Sequence, residues 1–208
     1  MMRLPEGELA HFIHTIISDL MGEGIREKYS TYHIAALPRK GGRPTLSRHI
    51  ENKVCKETWE VYLAISEMLI RLDYPVDMEG LKAISNDYQI YSVGDGNYSV
   101  CAEIGSRLGV KSWHSVDPLA VQRDGTSGIY PSKIEDLTFY EHTVVILLIH
   151  SHVGIGTVLE SFPILDMSIC VTIPCCYRLD TGYTDQKIHE SLKLGTKEEK
   201  ILTYIIVR

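Results

Sequence analysis

The stretch Tyr88-Gln-Ile-Tyr-Ser-Val-Gly94-Asp-Gly-Asn-Tyr-Ser99, followed by a helical run and by Trp113-His-Ser-Val-Asp117, holds the residues best spaced for chemistry. An apolar strand enters a loop with glycines at 94 and 96, a helix follows, and a second strand ends on a carboxylate. In a doubly wound sheet that order of elements seats a nucleoside-containing ligand. The glycines let the backbone pass close to the ligand, and the acid accepts hydrogen bonds from ribose hydroxyls. The candidate ligand contacts are Gly94, Asp95, Gly96, Asn97 and Ser99, with Asp117 about 20 residues further on, as ribose recognition requires. A hairpin turn at Gly-Asp-Gly is the competing reading, although the residues after it do not read as a strand.

The identity of the ligand turns on two positions. A dinucleotide fingerprint wants Gly-x-Gly-x-x-Gly, with the third glycine where helix packs on strand; here Ser99 stands third. Pyrophosphate at a helix N-terminus favours a loop free of negative charge, and Asp95 places a carboxylate there. S-adenosylmethionine has no phosphate and carries a sulfonium and an amino group, so an acid suits it. The loop therefore favours S-adenosylmethionine over NAD, which Asp117 by itself would also serve.

Ligands of open parallel sheets bind at the C-terminal ends of strands, where the strand order switches. The other polar strand ends are Glu135-Asp136, His150-Ser-His152 and Cys175-Cys176-Tyr177-Arg178. Glu135 or Asp136 would accept from an adenine amino group, or else form a solvated turn. His150, His152, Tyr177 and Arg178 are the candidates to position a nucleophile or take its proton. If the two strands concerned are neighbours, His150, His152, Cys175 and Cys176 are a set that zinc accepts. Against a metal, adjacent cysteines in extended chain point to opposite faces, and a free cysteine is most often a small buried hydrophobe.

The net charge of −6 excludes wholesale nucleic-acid coating, but its distribution is uneven. Between Glu27 and Glu51 no acid occurs, while Lys28, His33, Arg39, Lys40, Arg43, Arg48 and His49 do. This basic loop, residues 36–49, reads either as a grip on RNA phosphates, with Arg39, Lys40, Arg43 and Arg48 as its contacts, or as a solvated connection.

The elements that must position these residues follow from periodicity. Leu9, Phe12, Ile13, Ile16, Ile17, Leu20 and Met21 fall on one helical face, as do Val54, Val61, Tyr62, Ile65, Met68, Leu69 and Leu72. From residue 88 the pattern becomes alternating strand and helix. Strands are expected at 89–93, 111–116, 134–137, 143–149, 167–173 and 201–207, with helices at 98–108, 154–162 and 184–194. The run Thr143-Val-Val-Ile-Leu-Leu-Ile149 is apolar throughout, as a central parallel strand must be. The expected fold is α/β, a Rossmann-like doubly wound, mainly parallel sheet over residues 88–208, with an N-terminal helical region over 1–87. No run of about 18 apolar residues suggests a membrane span. Five cysteines, unevenly placed, suit a reducing, cytoplasmic compartment.

Val93-Gly-Asp-Gly-Asn-Tyr-Ser99 resembles the first motif of the class I S-adenosylmethionine-dependent methyltransferases, and Asp117 resembles the acid after their second strand. The resemblance covers about residues 88–208 and implies a Rossmann-like fold, S-adenosylmethionine as cofactor, and Glu135-Asp136 on the adenine side. Leu148-Ile-His150-Ser-His-Val and Ile173-Pro-Cys175-Cys176-Tyr177-Arg178 are similar to a subgroup with His-x-Cys-Gly after strand four and Cys-Cys-His or Cys-Cys-Tyr after strand five, some of whose members modify transfer RNA. Ser151-His152-Val153 departs from that pattern. There is no Asn/Asp-Pro-Pro-Tyr/Phe motif, and the Lys-Asp-Lys-Glu set of ribose methyltransferases has no counterpart. The resemblance implies methyl transfer without settling the acceptor. The basic loop and the subgroup similarity favour RNA, with a small molecule or a protein as the other acceptors, and the N-terminal helices are a candidate surface for a partner protein. The alternatives are a catalytically inactive methyltransferase-like binding module and an NAD-dependent oxidoreductase.

Overall fold

A computed structural model describes residues 5–30, 45–149, 151–173, 186–194 and 197–207. Helices α1 (Glu8–Ser30), α2 (Thr45–Arg71) and α3 (Met78–Asp87) precede β1 (Gln89–Val93), α4 (Val100–Leu108) and β2 (Trp113–Val116). Then come β3 (Ile129–Tyr130), a 3-10 turn (Ile134–Asp136), β4 (Thr143–Ile149), α5 (Ile155–Glu160), β5 (Met167–Ile173), β6 (Gln186–Leu194) and β7 (Lys197–Val207). Strand order is β3-β2-β1-β4-β5-β7-β6. β1 to β5 are mutually parallel, whereas β7 runs antiparallel to β5 and to β6. The fold is thus α/β and Rossmann-like, and the strand order reverses between β1 and β4.

Each boundary near this reversal has a local cause. Asp77 caps α3 by accepting from Glu79 N–H and Gly80 N–H. Gly109, left-handed at φ 71°, ends α4 as its C-cap. α4 lies tightly on β2 because Gly105 carries no side chain: a Cβ there would sit 2.8 Å from Trp113 Cβ. Close helix–strand packing is the role a dinucleotide fingerprint gives to its third glycine. Here Gly105 fills it from inside the helix.

The helices before residue 88 share one core with the sheet. Ile13, Ile17, Ile65, Met68 and Leu69 pack with Ile90, Trp113, Val145 and Val171 in a single buried cluster. The sheet's other face is thinner, covered by the 3-10 turn and α5, and its core is aromatic: Tyr91, Phe139 and Phe162 pack there with Val144 and Ile146. Tyr91 stacks on His114 with ring centroids 4.5 Å apart and donates its hydroxyl to Glu141 Oε1 at 2.8 Å. Burial holds the His114 imidazole down at about 4, so it is neutral at physiological pH.

Three expectations are corrected. The third strand is Ile129–Tyr130, not 134–137. Pro131 follows it directly and cannot donate to a ladder; residues 134–136 form the 3-10 turn. The helix expected over 184–194 is the edge strand β6, paired from Gln186↔Tyr204 to Leu194↔Lys197 with a register shift between Ile188 and Ser191. Pairing with β7 decides this segment, as ladder context does where local preference is weak. The basic loop ends sooner than expected, since α2 begins at Thr45 and residues 45–49 are helical; residues 36–44 lie outside the described residues. No described helix is long and apolar enough to cross a membrane.

Candidate functional site

β1 and β2 are parallel neighbours in register from Ile90↔Trp113 to Val93↔Val116, so the loop after β1 and Asp117 after β2 emerge side by side. The hairpin reading of Gly-Asp-Gly is excluded, because α4 intervenes between these parallel strands. Gly94 and Gly96 both adopt positive φ, 82° and 67°, where a Cβ is unfavourable. Ser99 is left-handed too, at φ 49°. Gly94 N–H donates to Val116 O at 2.9 Å and Gly96 N–H to Asp117 Oδ2 at 3.0 Å. A Cβ at Gly96 would meet nothing within 4 Å, so open space lies beside that residue.

Asp117 is half-exposed beside that space. Its Oδ1 accepts from Leu119 N–H at 2.7 Å. A carboxylate offers about four acceptor sites, and these two bonds leave capacity for ribose hydroxyls. Leu119, 71% exposed and tied to Asp117 by that bond, presents apolar surface next to it. Arg123 reaches back from the same connection, with Nη2 3.5 Å from Asn97 O, and tethers it to the glycine loop. Leu119 and Arg123 were not among the expected contacts. A leucine two residues past a strand-end acid was the sequence signal for the first.

Asp95 turns inward. Its Oδ2 accepts from Cys101 N–H at 2.9 Å and from the Ser115 hydroxyl. Ser115 Oγ in turn accepts from Ala102 N–H at 2.9 Å. Ser99 occupies the N-cap position of α4 but makes no side-chain cap bond, and its buried hydroxyl has no partner. The capping of α4 has therefore moved from Ser99 to the Asp95–Ser115 pair, which satisfies two first-turn donors from below.

Burial pushes the Asp95 carboxyl above the usual carboxylate range, aided by the nearby Asp117, and the bonds from Ser115 and Cys101 oppose this only in part. A carboxyl raised on folding contributes stability that is fully present below about 4, the unfolded value, and is lost as pH rises from there through the folded value. Asp95→Asn keeps an acceptor for Cys101 and Ser115 but cannot ionise. The variant is expected to lose stability less steeply than the parent as pH rises from 4 to 7, measured by urea unfolding; parallel curves would refute the assignment.

The remaining candidates are less gathered. Glu135 and Asp136 are exposed on the 3-10 turn, beyond Pro131, not at a strand end. His152 is exposed two residues past the position following β4. β4 and β5 are indeed neighbours, with Ile149 opposite Ile173, but His150, Cys175, Cys176, Tyr177 and Arg178 lie outside the described residues. So do Arg39, Lys40 and Arg43; Arg48 falls in the first turn of α2. Among the described residues no group of three or more His, Cys, Asp or Glu could hold a metal.

No protein-family model and no curated protein matches the chain. Among solved structures, magnesium protoporphyrin IX methyltransferase from Synechocystis PCC 6803, with bound SAM, is similar at 9% identity and a TM-score of 0.39, over 98% of this chain and 99% of that one. A likeness at this level decides neither cofactor nor substrate.

Proposed function

We propose that the chain is an S-adenosylmethionine-dependent methyltransferase acting on RNA. The observation that carries the cofactor is the state of the α4 N-terminus. A dinucleotide needs free backbone donors there for its pyrophosphate, and here Cys101 and Ala102 N–H are already taken by Asp95 and Ser115. A nucleoside ligand without phosphate loses nothing by that. Asp117 would hold the ribose, the open side of Gly96 would admit the ligand, and Leu119 would cover a base. The dinucleotide sheet places a sixth parallel strand outside the fifth; antiparallel β7 stands there instead.

The bound cofactor supplies a methyl group already activated by its sulfonium. What the chain must add is alignment and proximity. The loop backbone at Gly94 and Gly96 and the Asp117 carboxylate fix the donor end. In sequence His150 and His152 follow β4 and Tyr177 and Arg178 follow β5, and these are the candidates to position the acceptor. RNA as acceptor is supported by the acid-free basic stretch carrying Arg39, Lys40, Arg43 and Arg48.

Calorimetric titration tests both parts of the proposal. S-adenosylhomocysteine is expected to bind at micromolar concentration and NADH not to bind. Unfractionated transfer RNA is expected to bind with an affinity that falls steeply with salt, less so after charge reversal at Arg39, Lys40 and Arg43. No cofactor binding at millimolar concentration sinks the enzyme reading in favour of a silent binding module.

A further inference from the structure

The crevice between the ends of β1 and β4 has a second wall, the residue after the position that follows β4. A Cβ at Gly94 would lie 2.8 Å from Ser151 Oγ, 3.0 Å from Ser151 Cβ and 3.1 Å from Ser151 Cα. The glycine is thus required from two directions, by its φ of 82° and by Ser151. Ser151 is itself held in place: its Oγ accepts from Val153 N–H at 3.2 Å, folding the exit of β4 into a local turn. β1 and β4 pair directly, in register from Gln89↔Val144 to Ser92↔Leu147. The seam between Gly94 and Ser151 therefore lies at the reversal of strand order, where ligands of such sheets cross.

We propose that Ser151 distinguishes the methylated, sulfonium form of the cofactor from the thioether that remains after transfer. The inference rests on the S-adenosylmethionine reading above. A sulfonium withdraws electron density from its methyl group, so the methyl C–H bonds are polarised and favour an oxygen lone pair. The thioether has neither the charge nor the methyl. A serine hydroxyl has two lone pairs, and the Val153 amide engages one, leaving acceptor capacity beside Gly94. The discrimination would favour binding of the donor over retention of the product.

The test is calorimetric binding of S-adenosylmethionine and of S-adenosylhomocysteine to the full chain, comparing the parent with Ser151→Ala and Ser151→Cys. Cysteine preserves the shape of serine and is a weak acceptor, which separates lost packing from lost chemistry. Both variants are expected to bind S-adenosylmethionine about two- to five-fold more weakly, the scale of one C–H···O contact, with S-adenosylhomocysteine unchanged. Equal weakening of both ligands, or no change in either, overturns the proposal. A parent protein that binds neither ligand overturns the cofactor reading instead. Thermal melting confirms that each variant is folded.

Discussion

Asp117→Ala is expected to weaken binding of S-adenosylhomocysteine by about 10- to 150-fold, the equivalent of about 1.5–3 kcal/mol for hydrogen bonds to a charged group. The carboxylate stands at the end of β2, half-exposed, and orders the Gly96 amide and the Leu119 amide on either side of itself. Both amides lie at the rim of the site, where water can replace the lost acceptor, so the variant should fold. Asp117→Asn keeps one acceptor oxygen and should lie between parent and alanine. Calorimetry paired with thermal melting reads the effect. Unchanged affinity in a folded variant would place the nucleoside elsewhere.

A large loss of stability is expected from Gly94→Ala. A left-handed backbone costs a non-glycine residue about 1–3 kcal/mol, and the new Cβ must also displace Ser151 from 2.8 Å. Together these predict destabilisation by about 2–4 kcal/mol, or a melting temperature lower by about 5–15 °C for a chain of this size. Gly96→Ala is the control, because its φ is 67° but its Cβ would meet nothing within 4 Å. It should cost only the backbone share in stability while intruding on the open space beside the loop, so its main effect should be on ligand affinity. Equal melting temperatures for the two variants would show that the contact with Ser151 does not matter.

The two variants also show which parts of the site could be read from residue order. Glycines at positive φ, a helix closed by Gly109 and a carboxylate ending the next strand are local matters. The residues concerned have few alternatives, and the apolar runs of β1, β4 and β5 leave only one buried role for each strand. The same holds for the faces of α1 and α2, whose spacing marks the buried side. Where a segment is polar and mixed, local preference is weak. Residues 134–137 read as a strand and 184–194 as a helix, yet the ladder partners available made 134–136 a 3-10 turn and 186–194 an edge strand.

Asp95 is the instructive case. The sequence shows a carboxylate in a glycine loop and suggests a partner for a cationic ligand. The tertiary structure turns one of its oxygens toward Cys101 and Ser115, where it caps α4 in place of Ser99. The consequence for the cofactor is the same, since both roles disfavour pyrophosphate, but the cause is different.

What the sequence by itself determined is the chain's local grammar: parallel strands, a glycine loop between the first strand and its helix, and an acid at the second strand's end. Those features depend on backbone freedom and on apolar periodicity within a few residues. Only the tertiary structure decided that Ser151 abuts Gly94, that β7 runs against its neighbour, and that the α4 donors are already satisfied. Each of these joins residues distant in sequence, and their meeting is set by how the strands pack into one sheet.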